Sequence, residues 1–170
     1  MATGSIVNSL VESASGADVK HSIIHGRLVM KDRQLLTIDE EKVLEFAQGS
    51  RNLYEGIKRQ DDLRDYIVHS PYENLDLIPS STLMSSIEYE LFTKWQREYI
   101  LKKCMKNIVE SGGYGYILMD APPTLGGWVM NVLCASDEVI IPVESTPWGL
   151  FGLGNMFEFL EEVRQIAPDL

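Results

Sequence analysis

Cysteine is scarce in this chain, and basic residues almost vanish from its last third. Only Cys104 and Cys134 occur, without Cys-x-x-Cys spacing. That leaves no disulfide framework and reads as two buried free thiols. No apolar run reaches the roughly 18 residues that a bilayer span needs. The opening MATGSIVNSLVESASG has no basic flank and no sustained apolar block, so no secretory signal is expected. There is no low-complexity tract. A cytoplasmic protein without membrane contact is the expectation.

Residues 111–170 carry eight acids against one base, Arg164. Residues 1–50 carry seven against five, and residues 51–110 ten against nine. Excesses of seven, two and one make up the net charge of −10. A nucleic-acid surface needs clustered Lys and Arg. The one cluster, Lys102, Lys103 and Lys106, reads as the solvated face of a helix. Direct nucleic-acid binding is not expected.

What is present is enough apolar residue (45%) for a packed core in one ordinary domain of 170 residues. Two regions meet near AQGSRN, residues 47–52. In the first, Ser22-Ile23-Ile24, His25-Gly26 and Arg27-Leu28-Val29-Met30 spell a β-hairpin. Thr37 with Glu40 makes a capping-box pattern, with Asp39 as a competing cap. Val43, Leu44 and Ala47 then share a helical face that Gly49 would end. Some 45 residues of this kind are too few for a core of their own.

The second region alternates in the α/β manner. Two short helices are expected within 52–68, and NLDLIP (74–79) reads as a short strand stopped by Pro79. A long amphipathic helix is expected from about Ser85 to Glu110, its face made by Ile87, Leu91, Trp95, Ile100 or Tyr99, Cys104 and Ile108. YILMD (116–120) and EVIIPV (138–143) read as buried strands, NVLCA as helical, and 150–166 as a last helix. Apolar strands without polar alternation, separated by helices, predict an α/β fold with a partial parallel sheet.

In such sheets ligands sit at the carboxyl ends of the strands. Asp120 lies at one of these ends, where a carboxylate stays within reach of solvent or a metal. Pro122 and Pro123 stiffen the exit from the strand, and Gly126-Gly127 allows close approach before the next helix. Alone, a strand-terminal Asp also fits a turn or a helix cap.

YENLDLIPSS, YGYILMDAPPTLG and CASDEVIIPVESTPWGLFGLGNMFEFLEEVRQIAPDL, in that order and spacing, resemble the middle of ParA/Soj-type partition ATPases of the ParA/MinD class of P-loop proteins. The resemblance covers about residues 51–170. It implies an Mg-dependent ATPase that works as a nucleotide-gated homodimer with a centromere-binding partner. By the same resemblance, Asp120 matches the Walker B aspartate of the magnesium shell. Ala121, Pro122, Pro123 and Gly126 match the nucleotide-responsive switch, and Pro142 with ESTPWGLFGLG matches a region near the nucleotide and dimer contact.

The family's phosphate cradle is a KGGxGKT-type loop, and no such sequence occurs in these residues. The nearest imitation, SGADVKHS (15–22), lacks the glycine beside its lysine. The expectation is therefore a ParA-like stretch that does not hydrolyse ATP. Residues 6–48, with ASGADV, IIHGRLVM and LLTIDEEKVL, resemble the C-terminal end of metal-dependent amidohydrolases of the S-adenosylhomocysteine/methylthioadenosine deaminase type. The barrel that holds that family's metal is not among these residues, so His21 and His25 are not expected to be ligands. The division expected is 1–49, amidohydrolase-tail-like, and 50–170, ParA-like. A chimeric fusion acting as a non-catalytic protein-binding module is the alternative. The 22–30 hairpin is also expected to dock beside 116–120 or 74–78 as a substitute sheet edge.

Overall fold

A computed structural model describes residues 22–24, 27–32, 34–36, 39, 41–42, 45, 49–143 and 146–168. They fall into two units, one drawing on 1–40 and 140–161 and the other on 41–139 and 162–170. In the first unit, β1 (Ser22–Ile24), β2 (Arg27–Lys31) and β3 (Gln34–Leu35) form an antiparallel sheet in that order. Its register sets Ile24 opposite Arg27 and Met30 opposite Leu35. Asp32 supports the β2–β3 turn at φ +48°, a left-handed conformation that Asp tolerates better than most side chains. The hairpin at 22–30 is thus present, while its turn residues His25 and Gly26 lie outside the described residues. Glu41, Lys42 and Glu45 are helical, as expected there. Thr37, Glu40, Val43, Leu44 and Ala47, on which that reading rested, lie outside the described residues, as do His21 and nearly all of SGADVKHS.

The second unit holds a core built from helices. Helix α1 (Leu53–Arg59) starts where the Asn52 side chain accepts a hydrogen bond from the Glu55 amide at 3.2 Å. It ends at Gln60, which takes the left-handed conformation (φ +58°). Gly56 is needed for space: an added Cβ would lie 2.6 Å from Leu63 Cδ2. The following 3₁₀ turn (Leu63–Tyr66) buries Leu63 and Tyr66 against Ile57. So the two short helices expected in 52–68 are there, the second of them 3₁₀.

Asp62 caps that turn and accepts two hydrogen bonds from the Arg64 guanidinium, at 2.6 and 2.8 Å. It also accepts from the Arg64 amide (3.0 Å) and from Asn107 Nδ2 (2.8 Å). The guanidinium contact first, then the Arg64 amide and Asn107, pull the Asp62 carboxyl down to about 2. A depressed carboxylate contributes stability above its unfolded pKa and loses it as pH falls through the folded one. We therefore expect part of the acid destabilisation between about pH 4 and pH 2 to be missing in Asp62→Asn, measured by urea unfolding at stepped pH. Equal acid sensitivity in the two proteins would contradict this.

β4 (Val68–His69) and β5 (Asp76–Leu77) pair antiparallel, with His69 opposite Asp76; the strand expected at 74–79 is these two residues. The helix expected as one piece over 85–110 is broken. A 3₁₀ turn (Thr82–Ser86) leads into α2 (Ile87–Leu91), and α3 (Ile100–Ser111) begins after a second 3₁₀ turn (Arg97–Tyr99). Between them, the Lys94 amide closes a tight turn on the Leu91 carbonyl, and Gln96 takes positive φ. Ile87, Leu91, Ile100, Cys104 and Ile108 are buried as expected, but the break turns Trp95 out to 86% exposure. Lys102, Lys103 and Lys106 line the exposed face of α3, as read from the sequence. Lys103 donates to Gln96 and Lys106 pairs with Glu110.

Helix α4 (Gly127–Ala135) is apolar except for Asn131 and buries Trp128, Val129, Asn131, Val132, Leu133 and Cys134. Helix α5 (Pro147–Ile166) starts three residues earlier than expected. Thr146 Oγ1 accepts from the Gly149 amide at 3.0 Å, and Pro147 sits in the first turn, where its missing N–H costs nothing. Of its 20 residues only Val163 is buried. Cys104 and Cys134 are both buried free thiols, and burial pushes the Cys104 thiol up to about 11.

Among the described residues the expected parallel sheet is not seen. Both sheets of the described residues are antiparallel, and neither 116–120 nor 138–143 pairs with any described strand. Nor is the substitute edge seen among the described residues, where β1, β2 and β3 pair with one another. A parallel strand has ladder bonds only when a neighbouring strand supplies them. With none in place, Tyr116 and Leu118 stand 91% and 87% exposed, and Ile140 is exposed as well. Met119 alone of the YILM run packs on the core.

Candidate functional site

Asp120, Pro122, Pro123 and Gly126 lie on one segment between the unpaired stretch and α4. Pro142 is exposed and belongs to the other unit. Asp120 is exposed, and among the described residues its carboxylate takes no hydrogen bond or ion pair. Pro122 and Pro123 are exposed too, and Gly126 is half-buried.

Both ends of this segment are tied down. At its start, Tyr114 Oη donates to Asp76 Oδ2 at 2.6 Å, and His69 Nδ1 lies 3.0 Å from Asp76 Oδ1. The Tyr114 hydrogen bond first, then His69, holds the Asp76 carboxyl below its ordinary range. At the far end, Glu88 of α2 reaches across, its Oε1 accepting from the Trp128 amide at 3.3 Å. Asn131, 1% exposed, secures α4 from the other side. Its Oδ1 accepts from the Leu101 amide at 3.2 Å, and its Nδ2 donates to the Gly127 carbonyl at 3.0 Å. Sequence reasoning missed Asp76, Glu88 and Asn131. An Asn inside an otherwise apolar helix, NVLCA, was the available signal for Asn131.

Asp120 offers one carboxylate to a hydrated cation. No group of three or more His, Cys, Asp or Glu among the described residues could hold a metal ion. At the N-terminus of α4, where amides could face an anion, the Trp128 amide donates to Glu88.

Residues 27–170 match the family model AAA_31, described as an AAA domain. The chain belongs to the AAA_31 family. It is 33% identical over 122 residues to the sporulation initiation inhibitor protein Soj of Bacillus subtilis, covering 72% of this chain and 47% of Soj. It is 31% identical over 118 residues to the chromosome partitioning protein ParA of Caulobacter vibrioides, covering 69% and 44%. The chain thus spans a little under half the length of these relatives. In structure it resembles a cobyrinic acid a,c-diamide synthase from Mycobacterium smegmatis, solved with an ATP analogue and magnesium. The TM-score is 0.65 at 26% identity, covering 78% of this chain and 56% of that one. The AAA_31 match starts at residue 27 and crosses residue 49, so it includes part of the stretch expected to be amidohydrolase-like. Among the described residues no helix is long and apolar enough to cross a membrane.

Proposed function

We propose that this AAA_31 chain is the switch-bearing part of a ParA-type partition ATPase, and that these 170 residues do not hydrolyse ATP by themselves. The observation that carries this is Asp120. It stands bare at the head of an Ala-Pro-Pro exit, while the residues around it offer no second oxygen cluster and no lysine-bearing glycine loop. Similarity to Soj and ParA supports the partition class. The synthase relative, solved with ATP analogue and magnesium, supports a nucleotide-type ancestry for the scaffold. By the same similarity, the partners are a second copy or a centromere-binding protein. A fusion junction at residue 49 is the less favoured reading, since the family match begins before it.

Titration with a fluorescent ATP analogue and Mg²⁺ tests this. Tight triphosphate binding draws on several backbone amides and a lysine, each charge-assisted contact being worth about 1.5–3 kcal/mol. Without them we expect no saturation below about 1 mM, a free energy of about −4 kcal/mol, and no difference between wild type and Asp120→Ala. Micromolar binding abolished by Asp120→Ala would overturn the proposal.

A further inference from the structure

The start of α4 has no cap of its own. Its N-cap position is Gly126, which has no side chain to offer the first-turn amides. Glu88, from the first turn of α2, takes over from outside: Oε1 accepts from the Trp128 amide. The carboxylate also fills the space beside Gly126. A Cβ added there would run into Oε1 and lie 3.2 Å from Cδ. The Gly126 backbone is fully extended (φ −170°, ψ −169°), a conformation open to any residue. A side chain added at 126 therefore meets the Glu88 carboxylate, which would have to swing aside, and meets no backbone strain. Between Asp120 and Leu125 the chain is exposed throughout and has no hydrogen bond to any described residue.

We propose that Glu88 is a latch on the segment carrying Asp120. It closes the N-terminus of α4 in trans and pins Gly126 against α2, and the segment moves only when this carboxylate lets go. As regulation, the proposal rests on reading 120–126 as a switch. As geometry, it does not depend on any nucleotide.

Hydrogen exchange of the ligand-free protein tests it, so a failure to bind nucleotide leaves the test intact. A lost cap exposes the amides it covered. In Glu88→Ala, peptides covering 127–131 are expected to exchange about tenfold faster, while those from 101–108 of α3 stay as in wild type. Glu88→Gln, whose amide oxygen can accept the same bond, keeps the protection; Glu88→Asp, one methylene shorter, loses it. Gly126→Ala alone should speed exchange at 127–131 as Glu88→Ala does. In the Glu88→Ala background it should add nothing, because the clash is gone. Unchanged exchange in Glu88→Ala, or additive effects of the two substitutions, overturns the latch. Faster exchange of every peptide in Glu88→Ala also overturns it, since that marks general loosening.

Discussion

Asn131→Ala is expected to cost about 2–4 kcal/mol of folding stability, the sum of a stranded buried amide and a small cavity. The Asn131 side chain is almost wholly enclosed and uses both ends of its amide. Its oxygen takes the Leu101 N–H in the first turn of α3, where the N-cap residue Tyr99 provides no side-chain bond. Its nitrogen returns to the Gly127 carbonyl one turn back on α4. One residue thus caps one helix and braces the start of another. Alanine strands the Leu101 N–H in a buried place. Asn131→Asp separates this account from simple packing. The carboxylate could still accept from Leu101, but its second oxygen would face the Gly127 carbonyl. The introduced carboxyl would therefore have a raised pKa in the folded state, and the variant should be more stable near pH 4 than at pH 7 relative to wild type. Urea unfolding of the three proteins at both pH values measures this. A cost below about 0.5 kcal/mol for alanine, the level of an ordinary surface substitution, would show that the bridge contributes little.

How much of this arrangement was legible in the sequence depended on whether a signal was local. The 3.6 period of Ile100, Cys104 and Ile108, with lysines between, named the buried face of α3 correctly. The hairpin pattern around residues 22–30 gave a real strand pair. Trp95 was misplaced because its spacing from Leu91 fits a helix, while the break is a turn in which the Lys94 amide closes on the Leu91 carbonyl and Gln96 takes positive φ. The start of α5 was legible in Thr146-Pro147 but was read three residues late. The parallel sheet failed for a different reason. YILMD and EVIIPV have the composition of strands covered on both faces, but composition states what a segment needs and not whether a neighbour is there to meet it. The site followed the same rule. Asp120 and the Ala-Pro-Pro exit were visible because they are contiguous. Glu88, Asp76 and Asn131 act across 30 to 40 residues of sequence and leave no periodic trace.

Replacing Tyr116 and Leu118 together, by threonine and lysine, is expected to raise the concentration at which the protein stays monomeric by about tenfold, the effect of about 1.4 kcal/mol removed from association. Both side chains lie almost fully in solvent, and the backbone between Tyr116 and Asp120 has no ladder partner among the described residues. Bare apolar side chains beside unpaired N–H and C=O groups are a template for pairing with another chain. At about 25 cal/mol per Å², hiding even a quarter of two such side chains, roughly 75 Å², is worth about 2 kcal/mol to any associated state. The folded monomer should hardly notice the change, because neither side chain touches the core; only Met119 of this run does. A lysine at 118 also blunts the edge, since pairing would bring two such charges close together. Light scattering over a concentration series, alongside urea unfolding, separates the two effects. The expected result is a later onset of association at a stability within about 0.5 kcal/mol of wild type. If the double variant associates at the same concentration as wild type, the exposed run is not what draws copies together. If it unfolds several kcal/mol earlier, Tyr116 and Leu118 contribute to the folded core, and the association account is wrong.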